Sequence, residues 1–351
     1  MAHMIIPIFI MYKGCPNRCS YCNERITAGD YTDRISPAQF RTVIDRYLAH
    51  AKNTETIQIA FYGGNFTGID EDYQRELLEN AESYIRDNRV DSIRLSTRPD
   101  YIDTRKVKIL EEYSVRTVEI GAQSMVDDVL AQSRRGHSSD DVRNAVMLLK
   151  DRGFETGVHL MVGLPSDSDE RFRYTVEEII TLRPDMVRIH PTIVFRGTEL
   201  ATRYEEGKYH PLATDDAITL CKDAVRKFET AGIPVIRLGL QMTHEMEAEG
   251  AIIAGPHHPA FRSLVESSLF FDMAVHLLRT AGPDDEKITF RVNPKDVSDF
   301  RGNRNVNVRA LEKCILGDGF TIETNPLQER GLLVMSRGER DYEIDRLSEK
   351  L

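Results

Sequence analysis

Ile5-Ile6-Pro7-Ile8-Phe9-Ile10, followed after four residues by Cys15-Pro16-Asn17-Arg18-Cys19-Ser20-Tyr21-Cys22, is the stretch on which the fold turns. An apolar, β-branched run reads as a buried strand, and the loop after it holds three of the five cysteines in 351 residues. Iron–sulfur clusters are ordinarily held by four cysteine thiolates. Three in one C-x3-C-x2-C loop, with no fourth nearby, therefore suggest a [4Fe–4S] cluster with one iron open to another ligand. A structural zinc site would show a full set of four ligands in paired spacings, and only one C-x2-C pair is present. A disulfide framework does not suit a long chain with few cysteines, odd in number. Chance clustering of buried thiols is the plain alternative. Cys221 and Cys314 sit among helix-period apolar residues and read as ordinary buried thiols.

Outward from that loop, apolar β-branched runs alternate with amphipathic segments. Strands are predicted at residues 5–10, 56–62, 92–96, 117–120, 156–162, 186–190 and 235–238. Between them, Ser36-Pro37 forms an N-cap with proline at the first helical position. Phe40, Val43, Ile44, Tyr47 and Leu48 then recur on one face, as do Tyr73, Leu77, Ala81, Tyr84 and Ile85. Further helices are predicted over 102–110, 141–149 and 217–228. Repeated strand–helix alternation means parallel βα units. The predicted fold is α/β: a full or partial parallel (β/α) barrel over residues 4–240, then a small C-terminal α+β extension over 241–351 capping the barrel. In the extension, 254–259 reads as a loop, Leu264, Val265, Leu269 and Phe270 mark a helix, 287–292 and 332–335 are short strands, and the last ten charged residues are expected to fray.

Composition narrows the function. The chain is 41% hydrophobic and 29% charged with net charge −10, a globular balance that gives no broad electrostatic attraction for nucleic acid. No apolar run approaches membrane-spanning length and no signal peptide is visible. Met1-Ala2-His3 ahead of Met4 reads as an expression leader. Sparse cysteines and an oxygen-sensitive motif point to the reducing cytoplasm.

Candidate ligand-binding residues gather at strand ends, where barrels place their chemistry. Gly63-Gly64-Asn65 after the second strand lets backbone approach a ligand closely, or simply makes a βα turn. Ser96-Thr97-Arg98 after the third offers hydroxyls and a guanidinium to a carboxylate, or caps the next helix. Glu119 is a charge in an apolar strand that needs a ligand or a structural arginine. Gln123 follows it, and Arg135 and His137 follow a short helix. Arg188 points into the barrel, where only a ligand or carboxylate would offset its desolvation. His159 and His190 lie on strands and are either pocket residues or satisfied core histidines. Leu164, ending the fifth strand, could pack against adenine, and His257 and His258 are further pocket candidates.

These segments together, including Tyr21 ahead of the third cysteine and Gly255-Pro256-His257-His258-Pro259, resemble the radical SAM superfamily. Within it they are similar to the Elongator catalytic-subunit-like group, in a short form without the acetyltransferase domain. The resemblance implies a [4Fe–4S] cluster on Cys15, Cys19 and Cys22, with S-adenosylmethionine (SAM) on the open iron. Cofactor contacts are implied for Gly63, Gly64, Asn65, Ser96, Thr97, Arg98, Glu119, Gln123, Arg135, Leu164 and Arg188. His137, His159, His190, His257 and His258 are the candidates for a substrate pocket. The resemblance implies reductive cleavage of SAM to a 5′-deoxyadenosyl radical that takes hydrogen from a substrate. An electron donor such as flavodoxin or ferredoxin is implied. A small-molecule substrate is favoured over tRNA. A tRNA-modifying enzyme, a coproporphyrinogen- or haem-related protein and a non-catalytic metal-binding scaffold are the alternatives.

Overall fold

The structure, a computed structural model, describes residues 3–10, 14–24, 26, 34–51, 54–240, 244–248, 250–283, 286–315, 319–348 and 351. The chain forms two compact units, one of residues 1–213 with 233–257 and one of 214–232 with 258–351.

The first unit is built on a parallel sheet of seven strands. They are β1 (His3–Phe9), β2 (Thr56–Tyr62), β3 (Ser92–Thr97), β4 (Val115–Gln123), β5 (Glu155–Val162), β6 (Met186–Pro191) and, after the two-residue β7 (Val194–Phe195), β8 (Val235–Leu238). The order β1-β2-β3-β4-β5-β6-β8 follows the sequence, and among the described residues β1 and β8 do not pair, so the barrel is partial. β7 pairs antiparallel with β9 (Ile252–Ala254) at the edge of the predicted 254–259 loop.

Parallel strands buried on both faces usually read as continuous apolar runs. Here they alternate, because one face packs under helices and the other faces a cavity. Ile6, Ile8, Ile59, Phe61, Ile93, Leu95, Val118 and Ile120 point into one apolar core with Phe40, Ile44, Leu77 and Leu110 from the helices. The residues between them, Pro7, Tyr62, Ser96, Gly121 and, further along the sheet, His159 and Arg188, line the cavity. The helix Pro37–Leu48 begins with a full capping box between Ser36 and Gln39, and Ser138 with Asp141 starts Ser139–Asp151 in the same way.

The second unit contains helices Thr214–Thr230 and Phe261–Ala281 and strands β10 (Ile288–Val292), β11 (Phe320–Thr324), β12 (Leu332–Arg337) and β13 (Arg340–Asp345). These strands form a sheet ordered β11-β10-β12-β13, whose inner residues Ile288, Phe290, Leu333 and Met335 share a core with Leu269, Phe270 and Met273. Of the charged tail expected to fray, residues 342–345 belong instead to β13, an edge strand pairing with β12, and residues 349–350 lie outside the described residues. Cys221 is buried as expected, but Cys314 is exposed, because the helix Val306–Glu312 ends before it and the cysteine falls in the following turn. No described helix is long and apolar enough to cross a membrane.

Candidate functional site: a cavity at the carboxyl ends of the strands

The cysteine loop is anchored at two outside points and closed by one internal turn. Ser20 N donates to Ser133 O at 3.0 Å, Leu200 N donates to Ser20 O at 2.8 Å, and Cys22 N donates to Cys19 O at 3.1 Å. Gly14 leads into the loop at φ 73°, and a Cβ there would stand 2.3 Å from the backbone oxygen of Asn65. Only glycine meets both demands. Asn65 is fully buried and fastens this junction: its amide donates to Gly14 O at 2.8 Å and accepts from Thr97 Oγ1 at 2.6 Å and Arg98 N at 3.1 Å. It therefore ties the ends of β2 and β3 to the cysteine loop.

Cys15, Cys19 and Cys22 all line one cavity of about 1280 Å³. Burial, with Glu24 nearby, pushes the Cys15 thiol up to about 11 and holds Cys22 well above the ordinary thiol range. Bare Cys15 and Cys22 stay protonated, so binding a metal centre to them would release protons. Arg135 Nη1 donates to Cys19 Sγ at 3.3 Å, the kind of contact that tunes a ligating sulfur.

Around the cysteines, Gly63 and Gly64 hold φ of 73° and 57°, and Gly64 N donates to Glu24 Oε1 at 3.0 Å. Gln123 ends β4 at φ 70°, rare for a residue with a side chain, where the β4–β5 register shifts between Ile120 and Gln123. Such strain collects at functional sites, and Gln123 lines the cavity. Arg98 clasps Asp100 through Nε at 2.9 Å and Nη2 at 2.8 Å. Buried Ser96 Oγ, Arg98 Nη1 and Arg135 Nε have no partner among the described residues. Buried polar atoms are normally paired. Orphaned donors beside three soft thiols fit a ligand that carries a carboxylate next to a thiolate-held cluster. No three described His, Cys, Asp or Glu side chains converge as ligands of one metal ion. That is compatible with thiolates that would each hold a different iron.

Deeper on the same face lies Glu119, fully buried. Its Oε1 accepts from Arg94 Nη1 at 2.8 Å, Arg188 Nη2 at 2.8 Å and Tyr62 Oη at 3.0 Å, and its Oε2 meets His159 Nε2. Burial alone would raise the Glu119 pKa, but His159, Arg188 and Arg94 outweigh it and hold the carboxyl well below the usual carboxylate range. Burial lowers His159 against the opposing pull of Glu119, and burial with the charges of His159 and Arg188 takes His190 down to about 3. The neutral His190 ring contacts Gly239 O through Nδ1 at 3.0 Å.

Of the sequence candidates, Gly63, Gly64, Ser96, Thr97, Arg98, Gln123, Arg135, His159, Arg188 and His190 line the cavity with the three cysteines. Asn65 and Glu119 are buried behind that surface, as fastener and counter-ion. Leu164 and His137 are buried and do not line the cavity, and His137 Nε2 lies against Ala122 O at 3.2 Å. His257 and His258 do not line the cavity, and His258 Nδ1 accepts from Ala260 N at 3.0 Å. Sequence reasoning missed Arg18, Glu24, Arg46, Tyr47 and Arg237, which do line it. Arg237 carried the same signal as Arg188, a lone charge in a short apolar strand. Tyr47 was legible only as a core-facing helix residue.

Residues 9–179 match the radical SAM superfamily and residues 184–270 match the Radical_SAM C-terminal domain. The chain belongs to the radical SAM superfamily, whose cofactors are a [4Fe–4S] cluster and SAM, and the cysteine loop fits its motif. A tRNA uridine(34) acetyltransferase of Methanocaldococcus infernus is 30% identical over 254 residues, 61% of this chain and 47% of the relative. The human Elongator complex protein 3 is 28% identical over 202 residues, 52% of this chain and 37% of the relative. This chain thus spans about half the length, or less, of these two curated relatives. The solved structure of the archaeal Methanocaldococcus infernus Elp3 with an N-terminal deletion superposes with a TM-score of 0.61 at 22% identity. That match covers 76% of this chain and 62% of the other, a likeness of fold.

Proposed function

We propose that Cys15, Cys19 and Cys22 hold the cluster, that SAM lies against Gly63-Gly64, Ser96, Arg98, Gln123 and Arg135, and that the cavity beyond receives a small-molecule substrate. The single observation that carries this is the convergence of three thiols and three orphaned buried donors on one cavity. When bound, the cluster and SAM supply one-electron cleavage of the sulfonium and a 5′-deoxyadenosyl radical for hydrogen abstraction. The protein's own part is placement. Gly63 and Gly64 bring carbonyls close enough to accept from an ammonium group. Ser96 Oγ and Arg98 Nη1 are poised to donate to a carboxylate. Arg135 bridges Cys19 Sγ and Tyr21 Oη, fixing the loop's electrostatics. Ile5, Pro7 and Phe9 of β1 give the cavity an apolar wall.

Anaerobic reconstitution with iron and sulfide tests the proposal. The protein should bind about four irons and, with dithionite and SAM, release 5′-deoxyadenosine and methionine, and Cys22→Ala should do neither. Protein that takes up zinc but no iron and sulfide, or a loaded cluster that forms no 5′-deoxyadenosine, overturns it.

A second reading, modification of tRNA, is favoured by the printed names of the curated relatives. The net charge of −10 weighs against it. A tRNA shift assay decides: steep salt-dependent binding supports the second reading, and its absence at low salt removes it.

A further inference from the structure

Two arginines stand side by side on the cavity face of the sheet. Arg188 of β6 is the register partner of Arg237 of β8, and both line the cavity. Like charges opposite one another on neighbouring strands are destabilising, and poor access to water makes the pairing costlier. Burial, then the Arg188 charge, pulls Arg237 below the ordinary guanidinium range.

Glu119 takes up Arg94, Arg188, Tyr62 and His159 together. Arg188 Nε is buried with no partner among the described residues. The described lining residues include six arginines and one carboxylate, Glu24, which sits with the cysteines and Gly64; behind the lining, Asp100 holds Arg98 and Glu119 holds Arg188. An acidic chain that concentrates positive charge in its cavity focuses its field on an anion.

We propose that Arg188 and Arg237 bind an anionic group of the substrate, a carboxylate or a phosphate, and that the substrate is an acidic small molecule. The proposal rests on the radical SAM reading of the cavity, since the cysteine side of the same space is given to the cofactors. Arg98 and Arg135 stand on that side and serve the carboxylate of SAM. Arg188 thereby moves from the cofactor set to the substrate set. The open sheet offers a matching counterpart at its other edge: β1 presents Ile5, Pro7 and Phe9 to the cavity, an apolar strip for the uncharged part of such a molecule.

The test uses cluster-loaded full-length protein without reductant, so that no SAM is cleaved. Binding of radiolabelled inorganic phosphate and of succinate is measured at constant ionic strength, with and without SAM. Saturable binding of either probe at one site, undisturbed by SAM, is expected; whichever probe binds more tightly assigns phosphate or carboxylate. Arg237→Gln should weaken it by about tenfold or more, and Arg237→Lys by only about threefold, because the charge remains. Independently of any variant, phosphate or succinate should protect Arg237 of the wild-type protein from modification by phenylglyoxal, read by peptide mapping. No saturable binding, displacement of the probes by SAM, undiminished binding by folded Arg237→Gln or unprotected Arg237 overturns the proposal. Failure here with normal 5′-deoxyadenosine release leaves the cofactor reading standing, whereas absent cleavage removes that reading whatever the anion result.

Discussion

Replacing Glu119 with glutamine removes one negative charge from a site that two arginines, a tyrosine and a histidine share. The carboxylate is fully buried, and Arg94 and Arg188 both reach Oε1 at 2.8 Å. Glutamine keeps the shape and one acceptor oxygen, but leaves two guanidinium groups around a neutral partner. Breaking a buried ion pair by removing one partner costs about 3–5 kcal/mol. The retained oxygen puts Glu119→Gln near the lower end, about 3 kcal/mol, or a Tm lowered by roughly 6–12 °C at about 2–4 °C per kcal/mol for a large domain. Thermal unfolding followed by circular dichroism measures it. The pH dependence gives a second check. The folded pKa is depressed, so the stabilising contribution is complete above the unfolded carboxylate value of about 4.3 and is lost as pH falls towards the folded value. The gap between wild type and variant should be constant from about pH 8 to 6 and close progressively below about pH 4. A loss under about 1 kcal/mol, the range of an exposed ion pair, or a gap unchanged in acid, would refute the buried-counter-ion account.

Cys15→Ala, Cys19→Ala and Cys22→Ala should each reduce iron from about four per chain to near zero, read by metal analysis and visible absorbance. Asn65→Leu should cost about 2–4 kcal/mol, because it orphans Gly14 O and Arg98 N and leaves Thr97 Oγ1 with Thr67 alone; urea unfolding checks it, and iron content should fall with it. Asp167, pushed up to about 6 by burial, has a folded pKa above its unfolded one. It therefore destabilises the fold increasingly as pH rises from about 4 to 6. The Tm of wild type relative to Asp167→Asn should fall over that interval and be flat above about pH 7.

The strand–helix alternation was legible because each strand of the sheet buries every second residue beneath helices. The cavity face was legible from the polar residues left between, Ser96, Glu119, His159 and Arg188. What local pattern could not supply was partnership. Glu119 could be seen to need a counter-charge, but only the parallel register brings Arg94 and Arg188 to it from strands 25 and 69 residues away. Asn65 looked like a ligand contact because it follows two glycines, and its task depends on Gly14, 51 residues earlier. The edge strands β11 and β13 escaped notice for a simpler reason: Thr321, Glu323, Arg340 and Asp341 are exposed, so neither segment shows the apolar signal that marks a buried strand.

The path of the chain between the two units has a consequence for synthesis. Helix Thr214–Thr230 belongs to the second unit, yet the chain then returns to the first to lay down β8 with Arg237 before leaving again at residue 258. A nascent chain that has emerged to residue 257 owns every strand of the large sheet. Its helix still carries Leu220, Val225 and Phe228, buried in the finished protein, with Phe261–Ala281 yet to arrive. That interval is when a chaperone should find the chain, and a ribosome stalled there should yield a product that is folded in its catalytic sheet and sticky along a single helix.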